Sequence, residues 1–139
     1  MDEKQKEAVI KAVSAVAWAD EDLSDEETQK LSHVCQSIGL DESKIQDIIK
    51  NNRQIEPVLG ELENFSREVI GGVLQFCFRM AVTDNKIHQS ELEVIRKIIK
   101  KFWQDEDVEI VVRWLKKTYD AEQLYLELFL LPEVRDQKN

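Results

Sequence analysis

"AVAWADEDLSDEE" at residues 15–27 and "RMAVTDNKIHQSE" at residues 79–91 are two versions of one pattern. A shift of 64 residues superposes Ala17 on Ala81, Asp20 on Asp84, Leu23 on Ile87, Glu27 on Glu91, Leu31 on Ile95 and Val34 on Ile98. Upstream, Val9, Ile10 and Val13 meet Val73, Leu74 and Cys77. Each copy reads as a helix ending near an Asp, a turn with one aliphatic residue, and a second helix opening near a Glu. Two such hairpins can bury their apolar faces against each other about a pseudo-two-fold axis. That packing can bring the two acidic turns together.

Outward from these hairpins, apolar spacing predicts helices along nearly the whole chain. Residues 3–19 form an amphipathic pattern through Val9, Ile10, Val13, Val16 and Ala17, with Ser14 off the apolar face. Residues 24–39 follow through Leu31, Val34, Cys35 and Ile38, and Gly39 fits a left-handed stop. A third helix starts near Asp41 and carries Ile45, Ile48 and Ile49, and "NNRQIEPVLGELEN" reads as a short helix flanked by turns. Residues 66–83 are apolar almost all round, as befits the middle of a bundle. One helix then carries Leu92 to Trp103, and another runs through Val108 and Leu115 to Lys116 and Lys117. A last helix carries Leu124, Leu128 and Leu131 and stops at Pro132. No period-2 pattern competes. The expected fold is all-α: one domain over residues 1–131, a bundle of about seven to eight helices, an internal repeat near residues 8–39 and 72–103, and a tail at 132–139.

Composition narrows the function. The chain has 139 residues, 42% of them apolar, with only four Gly and two Pro, which suits a single core. A net charge of −9 opposes binding to nucleic acid and to anionic membrane surfaces. Apolar runs such as "LFLLP" at 128–132 fall far below the roughly 20 residues that cross a bilayer, so no membrane insertion is expected. "MDEKQKEAVIKAV" at the start lacks the pattern of an export signal, and a cytoplasmic location is expected. Cys35 and Cys77 sit among apolar residues and read as buried thiols.

The two quoted stretches resemble the A-D-G-x-[IV]-x-x-x-E signature of the TerB-like tellurite-resistance family, a helical domain also found in membrane-anchored J-domain co-chaperones. The resemblance runs from the first helix to about Trp103. It implies a non-enzymatic module tied to tellurite and other stress responses, with acidic turn residues suspected of holding a metal ion. Carried onto this chain, the implication falls on Asp20, Glu27, Asp84 and Glu91. The Gly of the signature is Glu21 in the first copy and Asn85 in the second. Asn tolerates a left-handed backbone well and Glu poorly, so the first turn is expected to differ in shape.

Two physical readings compete for the acidic turns. "DEDLSDEE", residues 20–27, places six carboxylates in eight positions, and Ser24 with Glu27 makes a capping box in which each side chain serves the other's backbone N–H. Carboxylates also favour the positive end of a helix dipole. The second copy, however, has His88 at the cap position, a poorer choice, and Asp20 and Asp84 stand at helix C-terminal ends, where the dipole disfavours them. A turn N–H or a divalent cation would compensate. Asp22 and His88 are secondary candidates, and the cation stays open among Ca²⁺, Mg²⁺, Mn²⁺ and Zn²⁺. An EF-hand does not fit, because Asp25 stands at loop position six and Leu31 at position twelve. With only His33 and His88, an imidazole-rich zinc site is disfavoured.

Trp18, Trp103 and Trp114 read as core or core edge, with a partner surface as the other reading. The leading functional expectation is a non-catalytic helical interaction module with a protein partner and a divalent cation at the twin acidic turns. Two others stay open: a metal-assisted hydrolase using paired carboxylates, and a purely structural adaptor. No nucleophile-base set, phosphate loop or His cluster supports the hydrolase.

Overall fold

The structure is a computed structural model, and it describes residues 2–83 and 86–126. Among them are seven α-helices: α1 Glu3–Ala17, α2 Asp25–Gln36, α3 Glu42–Asn51, α4 Glu56–Leu62, α5 Arg67–Ala81, α6 Gln89–Phe102 and α7 Val108–Tyr125. A 3₁₀ turn, Asp105–Asp107, precedes α7. Between α5 and α6 the backbone makes a minimal antiparallel pairing of β1 Val82–Thr83 with β2 Lys86–Ile87, in the register Val82↔Ile87. The fold is an all-α bundle, as expected.

Local chemistry sets the helix starts. Asp2 and Gln5 exchange bonds in a capping box on α1, with Gln5 N donating to Asp2 Oδ1 at 2.8 Å and Asp2 N to Gln5 Oε1 at 3.0 Å. Ser24 opens α2 and Ser66 opens α5, each hydroxyl accepting from the backbone N–H three residues on. Pro57 stands in the first turn of α4, where its missing N–H costs nothing. Gly39 ends the α2 segment with φ at 88°, the left-handed stop its position suggested.

The middle of the bundle is α1. Every residue from Ala8 to Ala17 except Lys11 is buried, and α2, α3, α4, α5 and α6 all pack on it. Its alanines let these neighbours approach closely. Ser14, expected off the apolar face, is fully buried, and its hydroxyl donates toward the carbonyls of Asn52 (2.9 Å) and Ile49 (3.3 Å) at the end of α3. A hydroxyl with such a partner enters a core at little cost, so polarity alone misassigned it. Helix α5 buries Ile70, Val73, Leu74, Cys77, Phe78, Met80 and Ala81 but leaves Val69 exposed and Phe76 half-exposed.

A second difference concerns the end of the chain. The separate helices expected around Leu115 and Leu124 are one, because α7 passes straight through Lys117 to Tyr125. Nothing in "TYDAEQLY" breaks a helix, and two lysines favour a helix end without forcing one. Leu128, Leu131, Pro132 and the expected tail at 132–139 lie outside the described residues. Among the described residues no helix is long and apolar enough to cross a membrane.

Candidate functional site

The contact of α1 with α5 sets the two helix-turn-helix corners side by side. Glu27 lies in the first turn of α2 and Glu91 in the first turn of α6, and the two carboxyl groups come within hydrogen-bonding reach of each other. Asp20, exposed in the first turn, is close enough for its charge to act on Glu91. Two of the four carboxylates singled out in the sequence, Glu27 and Glu91, are therefore brought together, and Asp20 acts on Glu91 through its charge alone. The fourth, Asp84, and the neighbouring Asn85 lie outside the described residues.

Glu91 is the unusual member. It is 1% exposed, a rare state for a carboxylate, and only Ser14 joins it among buried polar residues described. Burial pushes its pKa up to about 8, and the adjacent Glu27, by charge and by hydrogen bond, and Asp20 push the same way. Lys30 opposes them. At neutral pH and without a counter-cation, Glu91 therefore holds a proton. Glu27 Oε2 and Glu91 Oε2 are both buried without a hydrogen-bond partner, the unsatisfied state that a shared proton or a cation relieves.

The surroundings hold the pair in place. Ser24 Oγ accepts from Glu27 N at 3.1 Å and donates to Glu27 Oε1 at 3.0 Å. In place of the expected return bond from the Ser24 backbone N–H to the Glu27 carboxylate, this hydroxyl bond occupies Glu27 Oε1, while Glu27 Oε2 is buried without a hydrogen-bond partner. Lys30 Nζ donates to the carbonyl of Val82, tying α2 to the end of α5. No reading of the sequence picked out Lys30; its spacing of three from Glu27 on one helix was the available signal.

Asp22 contributes its backbone, whose N–H donates to Asp20 Oδ1 at 3.3 Å, while its side chain is exposed. His88 is exposed and makes no capping bond, in line with its poor fit to that position. Glu21 adopts φ of 63°, so the turn keeps the left-handed residue of the glycine signature and imposes it on a side chain that resists it. Among the described residues no three His, Cys, Asp or Glu side chains form a group that could by itself hold a metal ion.

Trp18 and Trp103 are half-buried at the core edge, but Trp114 is 45% exposed. Cys35 and Cys77 are buried free thiols, and burial pushes both up to about 12.

Residues 1–51 match the family described as "Tellurite resistance protein TerB". This segment holds α1, the first acidic turn, α2 and α3, so a TerB-like domain resemblance is shown for that part of the chain, including Asp20 and Glu27. The second acidic turn and Glu91 lie beyond the matched residues. No curated protein and no solved structure matches the chain.

Proposed function

We propose that this TerB-like chain is a non-catalytic helical module that takes a divalent cation between its two acidic corners and presents the resulting surface to a protein partner in a tellurite or related stress response. The family match supports the stress link, and one observation supports the cation: Glu27 and Glu91, from two different helices, act on each other through charge and hydrogen bonding while each keeps a buried carboxylate oxygen without a partner. Hard cations such as Ca²⁺ and Mg²⁺ take six to eight or six oxygen ligands, so Glu27 and Glu91 would be two of several. Asp20 and Asp84 are the further carboxylates proposed, with water completing the shell. The bound ion would add its positive charge to that of Lys30 and release the proton held on Glu91.

The hydrolase reading gains no observation. A cavity of about 610 Å³ lies elsewhere, lined by residues of α1, α6 and the α3–α4 connection, and includes neither Glu27 nor Glu91.

Thermal unfolding of the chelated protein, with Ca²⁺, Mg²⁺, Mn²⁺ or Zn²⁺ added singly, tests the proposal. A cation at 100 times its Kd adds about 2.7 kcal/mol to the native state. The midpoint is expected to rise with one of these ions in the wild type and to stay put in Glu27→Gln and Glu91→Gln. A midpoint that no ion moves, or that moves equally in all three proteins, refutes the site.

A further inference from the structure

Apart from Glu27 and Glu91, which do not line it, the cavity between the end of α1, the α3–α4 connection and α6 has the volume of a small-molecule site, which commonly runs from roughly 300 to 1,000 Å³. Its recognition elements are preset. Trp18 is anchored by its indole Nε1, which donates to the Ile49 carbonyl at 2.8 Å. The Arg53 guanidinium sits over that ring, 4.1 Å from the centroid, and Arg53 Nε donates to the Lys50 carbonyl at 3.4 Å. Its two terminal nitrogens enter no ion pair among the described residues, in a chain whose net charge is −9.

The cavity's charges select the ligand. Lys97 is already neutralised by Glu56 at 2.9 Å, which leaves Arg53 as the free cation in the wall and Glu21 as the free anion. A guanidinium held by stacking presents a planar fork that matches a carboxylate. A doubly charged phosphate would meet one available cation and the repulsion of Glu21 and Glu56. Trp18 and Val94 supply the apolar wall for the rest of a ligand, with the buried Ala15 and Ile55 behind them. We propose that this cavity binds a small organic monocarboxylate, its carboxylate on Arg53 and its apolar body against Trp18 and Val94. The left-handed Glu21 on the same wall fits a site where backbone strain is kept for use.

Benzoate is the probe, titrated into the ¹⁵N-labelled full chain and followed by heteronuclear NMR. The three indole N–H signals separate the sites. The Trp18 indole and the Arg53 Nε–H are expected to shift saturably, while those of Trp103 and Trp114 do not. Arg53→Gln keeps a donor but loses the charge and the fork, and is expected to weaken benzoate at least about tenfold. Arg53 is exposed, so its spectrum away from Arg53 and the Trp18 ring it stacks on should match wild type. Inorganic phosphate is expected to bind more weakly than benzoate, and Glu91→Gln to bind benzoate like wild type, which separates this site from the cation site. A Trp18 signal that does not move, an unweakened Arg53→Gln, or phosphate binding as tight as benzoate overturns the proposal.

Discussion

Replacing Glu91 by Gln keeps the shape of the side chain and removes its ability to ionise. In the wild type, the folded chain holds the Glu91 proton to about pH 8, whereas an ordinary carboxyl releases it near 4.5. Between those values the native state binds more protons than the unfolded state, so stability falls as pH rises through the window and levels off above it. At about 1.4 kcal/mol per pH unit, the ceiling of the loss is on the order of 4 to 5 kcal/mol. Relaxation and water penetration around an ionised Glu91 soften the burial that is the main cause of its shift, which reduces the expected loss to about 2 kcal/mol. Urea unfolding in the presence of chelator, read by circular dichroism, measures it. At pH 5 the variant and wild type should agree within about 1 kcal/mol, and at pH 9 the variant should be more stable by about 2 kcal/mol. If Glu91→Gln is no more stable than wild type at pH 9, or its advantage is independent of pH, then Glu91 is not a carboxyl forced to hold its proton.

Ser24→Ala removes both the cap of α2 and the hydroxyl that orients Glu27, and should cost about 0.5 to 2 kcal/mol in urea unfolding. An unchanged midpoint would show that the acidic first turn caps the helix without it. Glu21→Gly relieves a left-handed side chain at φ of 63° and should raise the thermal midpoint by the equivalent of up to about 1 kcal/mol, part of the relief being lost to glycine's unfolded-state entropy. A lower midpoint would mean that the Glu21 side chain makes a contact worth more than the strain. Cys35 and Cys77 should react with a thiol reagent only as fast as the bundle opens, because both are buried and poorly ionised. Prompt labelling in native buffer would contradict their burial.

Helix positions were largely legible because they rest on local spacing. The apolar residues of α2, α3 and α6 recur on one face, and Gly39, Pro57 and Ser66 mark ends and starts by backbone chemistry that acts within a few residues. What local spacing could not rank was depth. Helix α1 carries lysines, glutamates and a serine, yet it is the central element, because five neighbours cover it and the α3 carbonyls take up the Ser14 hydroxyl. The end of the helix before Leu124 was misread because Lys116 and Lys117 only favour a terminus, while no residue there interrupts α7.

The sequence by itself determined that the chain is an all-α bundle and placed Glu27 and Glu91 in the first turns of two helices and Asp20 in the turn before one of them, since the period of a helix and its start signals are one-dimensional facts. Only the tertiary structure decided what these acids experience. The six carboxylates of residues 20–27 look like the richer corner, but the buried, proton-holding group is Glu91 in the sparser one. Burial and the approach of Glu27 set its charge state, and both depend on how helices far apart in the chain pack. The cavity beside Trp18 is decided the same way, from α1, α6 and the α3–α4 connection. Its residues share no spacing a sequence can display, because a cavity wall is defined by what meets across space.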